Sequence, residues 1–261
     1  MKRTVRLATL PISGAKYAEL RSVIVSYADA KRAFVGHLRS PSMWAFLEQA
    51  KSLRDYAKAH GWYPEGTNVH LVDQAAFDAV DTCARHIESC IALANLRARI
   101  WKRFTDADAR HYAYACLARY SAIGAIMGGG VPEVPTVTLS PETRAVVASY
   151  LHRTIRSAIA GTWPTVVKSR SMALDSTLYS VLLAGRPGRT PARRQYLRVV
   201  GAVPNSRIVL PLAGVSRVSG NIRLVLDDED HRAFVHVAYE LGTLGTATGP
   251  AVAVDWGIQD S

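Results

Sequence analysis

The sequence has few cysteines and no long apolar run. Its 261 residues include three cysteines, Cys83, Cys90 and Cys116, too few for a disulfide framework and typical of a reducing compartment. No apolar stretch approaches the ~20 residues needed to cross a bilayer. Arginines interrupt the apolar residues of the basic N-terminus, which makes it a poor secretory signal. We therefore expect a cytoplasmic protein with no membrane partner.

Several motifs of common enzymes are absent as well. The stretch "GVSRVSG" is not a Gly-x-Ser-x-Gly nucleophile elbow, because Val218 stands two residues after Ser216. The stretch "GTLGTATG" lacks the glycine spacing of a dinucleotide-binding fingerprint, and the sequence contains no Walker loop. No motif therefore predicts a serine hydrolase, a dehydrogenase or a P-loop NTPase.

Acidic residues are scarce in one long segment. Residues 140–223 contain 13 Lys and Arg but two Asp and Glu, a net charge of +11 that equals the net charge of the whole chain. Residues 1–139 carry a net +6, and residues 224–261 a net −6. Concentrated basic charge with interspersed aromatic residues favours a polyanion partner, most often nucleic acid. The alternative is a basic surface that serves solubility alone.

Apolar periodicity predicts one strand and then a helical segment. In residues 3–12 the side chains alternate between two faces, as in a strand with one solvent-exposed face. Helical spacing then runs from Tyr17 to Leu38. Further helices are predicted over 41–61, 71–103, 106–127 and 141–160, the last with Ser140 as its N-cap and Pro141 in its first turn.

After Gly161 the pattern changes to short β-like runs between basic loops rich in Gly and Pro. Several short strands with such turns favour a small barrel or a sandwich. The run "NIRLVLDDEDHRAFVHVAYEL" predicts a hairpin with an acidic turn at residues 227–230, a solvated turn rather than a cation site. The chain's last residues, "AVAVDWGIQDS", indicate a buried strand with Asp255 at its end.

The order of these parts resembles that of TnpB, a family of transposon-encoded RNA-guided nucleases. Its members are also called OrfB-type transposases and are related to the type V CRISPR effectors. The quoted segments "GTWPTVVKSRS" (161–171) and "AVAVDWGI" (251–258) are similar to the family's Gly-x-Pro…Lys segment and first RuvC motif. Residues 5–38 are similar to its opening strand and first helix, and residues 206–241 to its run of barrel strands.

The resemblance implies an α+β architecture in four parts. They are a first strand of a small β-barrel (1–13), a helical recognition lobe inserted after it (14–160), a basic, wedge-like β-barrel (161–247), and the start of a truncated RuvC-like, RNase H-like nuclease domain (248–261). The sequence departs from the family at Trp256, where members carry Leu or a basic residue. It also lacks the family's second motif with Glu, its paired Cys-x-x-Cys and its third motif with Asp.

Asp255 is the expected catalytic residue and metal ligand by this resemblance. Cleavage with two metal ions needs several carboxylates converging on ions ~3.5–4 Å apart. Asp255 supplies one such ligand, so we expect Mg²⁺ chemistry only if further sequence or a second polypeptide completes the fold. Members of the family are DNA endonucleases. By the resemblance, this chain alone is expected to bind guide RNA and target DNA without cutting.

The nucleic-acid-binding residues are expected in two groups. The planar guanidinium of arginine can donate two hydrogen bonds to phosphate oxygens, and exposed aromatic rings stack on unpaired bases. The first group lies in or beside the basic loops: Lys168, Arg170, Arg186, Arg189, Arg193, Arg194, Arg198 and Tyr196, with Tyr179 and Trp163 as further stacking candidates. The alternative for the three aromatic residues is packing within the barrel. The second group lies in "RARIWKR": Arg97, Arg99, Lys102 and Arg103.

Two other readings of the chain stay open. It could be a binding or regulatory module that occupies DNA without nuclease activity, or an unrelated α+β protein whose basic loops bind RNA. Cys83, His86 and Cys90 share one helical face, but a zinc site wants four ligands, and buried small residues explain these cysteines better.

Overall fold

The computed structural model describes residues 2–166, 170–184, 194–214 and 217–240, and it has the predicted α+β composition. The helices are α1 Gly14–His37, a 3₁₀ helix Pro41–Leu47, α2 Ala50–Ala59, α3 Val69–Leu93, α4 Leu96–Arg103, α5 Ala107–Leu117, α6 Tyr120–Met127 and α7 Pro141–Ile159. The strands are β1 Lys2–Ala8, β2 Ser171–Leu174, β3 Tyr179–Ala184, β4 Arg194–Val200, β5 Arg207–Pro211, β6 Ile222–Asp227 and β7 Arg232–Glu240.

Helix α7 begins where its sequence predicts. The Ser140 hydroxyl accepts a hydrogen bond from the Thr143 backbone N–H at 3.2 Å, and Pro141 occupies the first turn. The cap satisfies one of the backbone donors that a helix start leaves unpaired. The predicted helix over 141–160 is therefore confirmed.

The predicted long helix over 71–103 is wrong in one respect, because it is two helices. Asn95 adopts a left-handed conformation, with φ 49° and ψ 42°, between the end of α3 and the start of α4. Asn tolerates this region better than most residues because its side chain can hydrogen-bond locally. The predicted helix over 106–127 likewise divides into α5 and α6, and the one over 41–61 begins as a 3₁₀ helix.

Within the described residues the strands form two open antiparallel sheets, so the expected closed barrel is wrong. The four-stranded sheet has the order β1-β7-β6-β2 and the three-stranded sheet the order β3-β4-β5. An isolated antiparallel bridge between Thr9 and Leu212 links the residues that follow β1 and β5. Closure would require the outer strands of the two sheets to pair along their length.

The sheets bear out one prediction and correct another. Strands β6 and β7 form the predicted hairpin, and its acidic turn begins at Asp227, which pairs with Arg232. Strand β2 was not predicted, and its first residue, Ser171, belongs to the segment 161–171 that the sequence marks as basic and rich in Gly and Pro. Strand β2 pairs with β6 in the register Met172 to Leu224.

Two hydrophobic cores hold the chain together, and α1 contributes to both. Its N-terminal half, including Leu20 and Ile24, packs with the inner faces of the two sheets. Its C-terminal end, including Phe34 and Leu38, packs among the other helices. All of the described helices lie in sequence between β1 and β2, while β1 pairs with β7. The helical part is thus an insertion into a sheet that the chain completes afterwards.

Candidate nucleic-acid interface

Strand β4 divides its residues between the core and an exposed face. Leu197 and Val199 are fully buried in the core beneath the sheet. Because side chains alternate along a strand, Arg194, Tyr196 and Arg198 project from the opposite face. Three of the predicted nucleic-acid-binding residues therefore share one surface.

The register of the three-stranded sheet places apolar neighbours on both sides of Tyr196. Leu182 lies opposite it on β3 and Pro211 opposite it on β5. Leu182 is 41% exposed, which is unusual for a large apolar residue in a strand with a buried face. We call the outward residues of this sheet the basic sheet face: Leu182, Arg194, Tyr196, Arg198, Arg207, Val209 and Pro211.

The charges of this face are not compensated by neighbouring acids. Among the residues that the structure describes, no ion pair joins Arg194 or Arg198 to a carboxylate. Arg207 is exposed at the start of β5, and its guanidinium donates to the Leu178 carbonyl at 3.5 Å. Half-buried Tyr196 thus lies on the strand between exposed Arg194 and half-buried Arg198, and the described residues provide neither arginine with a carboxylate partner. Such a surface can hold phosphate oxygens and stack an unpaired base.

Helix α4 carries the second predicted group. Leu96 and Ile100 anchor it in the helical core. At ~100° per residue, Arg99, Lys102 and Arg103 fall on one exposed side of the helix. Arg97 lies on another side, with its guanidinium 5.9 Å from the centre of the Tyr114 ring. The four predicted cations therefore divide into a group of three and one residue that packs against an aromatic ring.

The two groups are not brought into contact. Helix α4 packs on α3 and α5 in the helical core, whereas β4 belongs to the core of the sheets. Within the described part of the chain, no hydrogen bond, ion pair or ring contact links α4 to the basic sheet face. If both bind one polynucleotide, they contact it at separate places.

Arg170 lies elsewhere and is paired. Its Nε is 3.0 Å from Asp228 Oδ2 in the acidic turn, although its side chain stays 60% exposed. The Tyr17 hydroxyl donates to the other Asp228 oxygen at 2.5 Å, and the Tyr17 ring stacks on His231. This hydrogen bond holds the pKa of Asp228 below its ordinary value. Burial, together with the same carboxylate, raises the pKa of Tyr17 to about 12.

The two further stacking candidates do not lie on this surface. Tyr179 is buried in the sheet core and its hydroxyl donates to the Gly220 carbonyl at 2.8 Å, so of its two predicted roles the structure supports packing within the sheets. Trp163 is half-buried against the helical core, parallel to Trp44, with 6.0 Å between ring centroids. Its indole N–H donates to the Val35 carbonyl at 3.0 Å.

Several predicted residues lie outside the described part of the chain: Lys168, Arg186, Arg189, Arg193 and Asp255. The predicted start of the nuclease domain, 248–261, lies outside it too. Within the described residues, no group of three or more His, Cys, Asp or Glu is arranged to hold a metal ion. The Mg²⁺ assignment rests on Asp255 and stays a prediction.

The cysteine-bearing face of α3 is packed as expected. Cys83 is completely buried, and burial raises the pKa of its thiol to about 12. Cys90 is buried beside His86, with Sγ 3.5 Å from Nε2, and Thr162 completes this small polar contact. A neutral buried thiol such as Cys83 behaves as a small apolar residue.

Sequence reasoning missed the residue that joins the two cores. Asp78 is 5% exposed in α3 and accepts hydrogen bonds from Tyr27 at 2.8 Å, Lys31 at 2.9 Å and Arg223 at 2.9 Å. Burial alone would raise the pKa of Asp78, but Arg223 and Lys31 outweigh burial and hold that pKa below its ordinary value. The feature of the sequence that could have revealed Asp78 is an acidic residue among the alanines of the α3 helix face that packs inward.

The comparisons with known proteins add no assignment. No protein-family model matches the chain, and no curated protein matches it significantly. Among the described residues, no helix combines the length and the apolar character that a membrane crossing requires.

Proposed function

We propose that this protein binds nucleic acid and that the basic sheet face is one of its contact surfaces. The observation that carries the proposal is the position of Tyr196 between Leu182 and Pro211, with Arg194 and Arg198 alternating with it along β4. The arginines would hold phosphates without reading sequence, and Tyr196 would stack on an unpaired base. A single-stranded polynucleotide fits this combination better than a duplex, whose bases are already stacked.

Within that class, we propose that the chain belongs to the lineage of TnpB and binds a structured guide RNA and its DNA target. The order of the sequence segments supports this proposal. The helical insertion between β1 and the strands that complete its sheet is consistent with a recognition lobe inserted into a wedge-like domain. In such systems the protein recognises shape and a short adjacent motif, and base pairing reads the remaining sequence. Catalysis through Asp255 and Mg²⁺, with further sequence or a second polypeptide, belongs to the same proposal.

The direct test is to purify the full chain, extract any bound RNA and sequence it. RNA of discrete length and defined sequence is expected for a guide-binding protein. Heterogeneous RNA would instead support the alternative of a general RNA-binding α+β protein. Binding to DNA without RNA would support the regulatory module.

The contact surface is tested separately by filter binding of single-stranded RNA to Tyr196→Ala and Arg198→Gln. Both variants should bind more weakly than the wild type, by about fivefold or more. Arg54→Gln is the matched control, because Arg54 is a surface arginine on α2 that already pairs with Asp55 at 2.7 Å. Wild-type affinity in both sheet variants would overturn the assignment of this face.

A further inference from the structure

A cleft lies where α1, the 3₁₀ helix and α7 meet the segment 161–166. Its volume is about 600 Å³, within the range of pockets that hold small ligands. Trp44, which is 2% exposed, and the parallel ring of Trp163 contribute aromatic surface to its lining. The hydrogen bond from the Trp163 indole to Val35 fixes the orientation of that ring. The Trp163 ring is therefore held in place in the lining by this hydrogen bond and by its contacts with Trp44 and His86.

The charged residues that line this cleft are all arginines. Arg32 is engaged, because it pairs with Asp29 and donates to the Val166 carbonyl at 3.2 Å. Arg39 and Arg156 are exposed, and neither makes an ion pair or a side-chain hydrogen bond with another described residue. The cleft thus presents two guanidiniums without described partners beside the Trp163 ring, and none of the described residues that line it is an acid.

Helix capping is the competing explanation for these arginines. Arg39 follows the end of α1 and Arg156 lies in the last turn of α7, where a cation offsets the partial negative charge of the carbonyls. Capping requires neither a cleft nor an aromatic ring, and it predicts a change in stability when either arginine is removed. Ligand binding predicts a change in affinity instead.

We propose that this cleft binds one unpaired nucleotide, with its phosphate held by Arg39 and Arg156 and its base packed against Trp163. The proposal rests on the proposed nucleic-acid function and extends it to a defined subsite. A guanidinium matches a phosphate in geometry and charge, and the indole ring offers a surface of the size of a base. The three arginines among the described lining residues disfavour a cationic ligand.

The experiment uses isothermal titration calorimetry on the full chain with three probes: an RNA pentanucleotide, AMP and inorganic phosphate. The variants are Arg39→Gln and Arg156→Gln, and the control is Arg153→Gln, an exposed arginine on the same helix that does not line the cleft. Each cleft variant should lower the affinity for the pentanucleotide about tenfold, whereas the control should change that affinity less than about twofold. AMP should compete with the pentanucleotide, and inorganic phosphate should bind more weakly than AMP.

The possible outcomes separate the subsite from the function. If the wild type binds the pentanucleotide but both cleft variants match Arg153→Gln, the subsite is overturned and the proposed function stands. If the wild type binds AMP but no RNA, and both cleft variants lose AMP binding, the cleft is a site for a free nucleotide. In that case the subsite is supported and the proposed RNA-binding function is contradicted. If the cleft variants change the melting temperature without changing affinity, the arginines serve as helix caps and the proposal is overturned.

Discussion

Asp78 Oδ1 lies 2.9 Å from Arg223 Nη2, and this ion pair connects helix α3 to strand β6 across 145 residues of sequence. The carboxylate is almost fully buried, while the arginine side chain is 40% exposed. Lys31 and Tyr27 of α1 complete the group. The helical insertion and the four-stranded sheet therefore share a buried charge whose removal leaves its partners unsatisfied.

Asp78→Asn should destabilise the protein by about 1.5–3 kcal/mol, because it weakens the charged hydrogen bonds of a buried carboxylate while solvent still reaches Arg223. Urea denaturation followed by circular dichroism gives the free energy of unfolding. Asp81→Asn is the matched control one turn along α3, since Asp81 is exposed and its ion-pair partner in the described part of the chain is exposed Arg85. The control should cost less than about 1 kcal/mol. Equal losses in the two variants would contradict the role of Asp78.

Stability should fall in acid for the same reason. The folded-state pKa of Asp78 is lowered, so its contribution is fully present above its unfolded pKa of about 3.9 and is lost as the pH falls through the lower folded value. The free energy of unfolding, measured at several pH values from 6 down to about 3, should therefore decrease. Asp78→Asn should show a smaller decrease over that interval. An unchanged slope in the variant would show that other carboxylates govern acid stability.

The two residue types of the basic sheet face should differ in their dependence on salt. Arg198→Gln removes one phosphate contact, so the slope of log affinity against log salt for single-stranded RNA should become shallower by about 0.7. Tyr196→Ala removes stacking and should cost ~1–3 kcal/mol with an unchanged slope. Fluorescence anisotropy across a series of salt concentrations separates these effects. A changed slope for Tyr196→Ala would indicate that the ring positions a cation and does not stack.

Gly124 in α6 should tolerate no side chain. A Cβ at this position would lie 2.5 Å from the Pro41 carbonyl oxygen and 3.1 Å from the Trp44 Cβ. Gly124→Ala should therefore destabilise the protein by about 1–3 kcal/mol through overpacking against the 3₁₀ helix. Gly36→Ala on α1 is the control, because a Cβ there meets no atom within 4 Å and should stabilise the helix by ~0.5–1 kcal/mol. Thermal and urea denaturation of both variants test the pair.

Much of the local structure could be predicted from the sequence because its signals are local. The Ser140–Pro141 start of α7 is encoded by adjacent residues, and the hairpin of β6 and β7 by alternation around four acids. The break at Asn95 was missed, since apolar spacing continues through it and only the backbone conformation marks the end of α3. Strand β2 was missed because four residues give too little alternation to separate a strand from a loop.

The candidate interface was predicted in part. Arg194, Tyr196 and Arg198 were predicted only as residues in or beside a basic loop, and their alternation along β4, which places them on one face, followed from the strand that the structure shows. The apolar neighbours Leu182 and Pro211 depended on the register of three strands, which no single segment encodes. The cleft that Arg39 and Arg156 line joins the ends of two helices that are far apart in sequence.

The sequence by itself determined the α+β composition, the helical insertion after the first strand and the concentration of basic charge in residues 140–223. Only the tertiary structure decided that the described strands form two open sheets and that Asp78 meets Arg223. It also decided which arginines face acids and which stay available. The physical reason is that periodicity and capping act over a few residues, whereas strand pairing and charge compensation depend on segments that become neighbours when the chain folds.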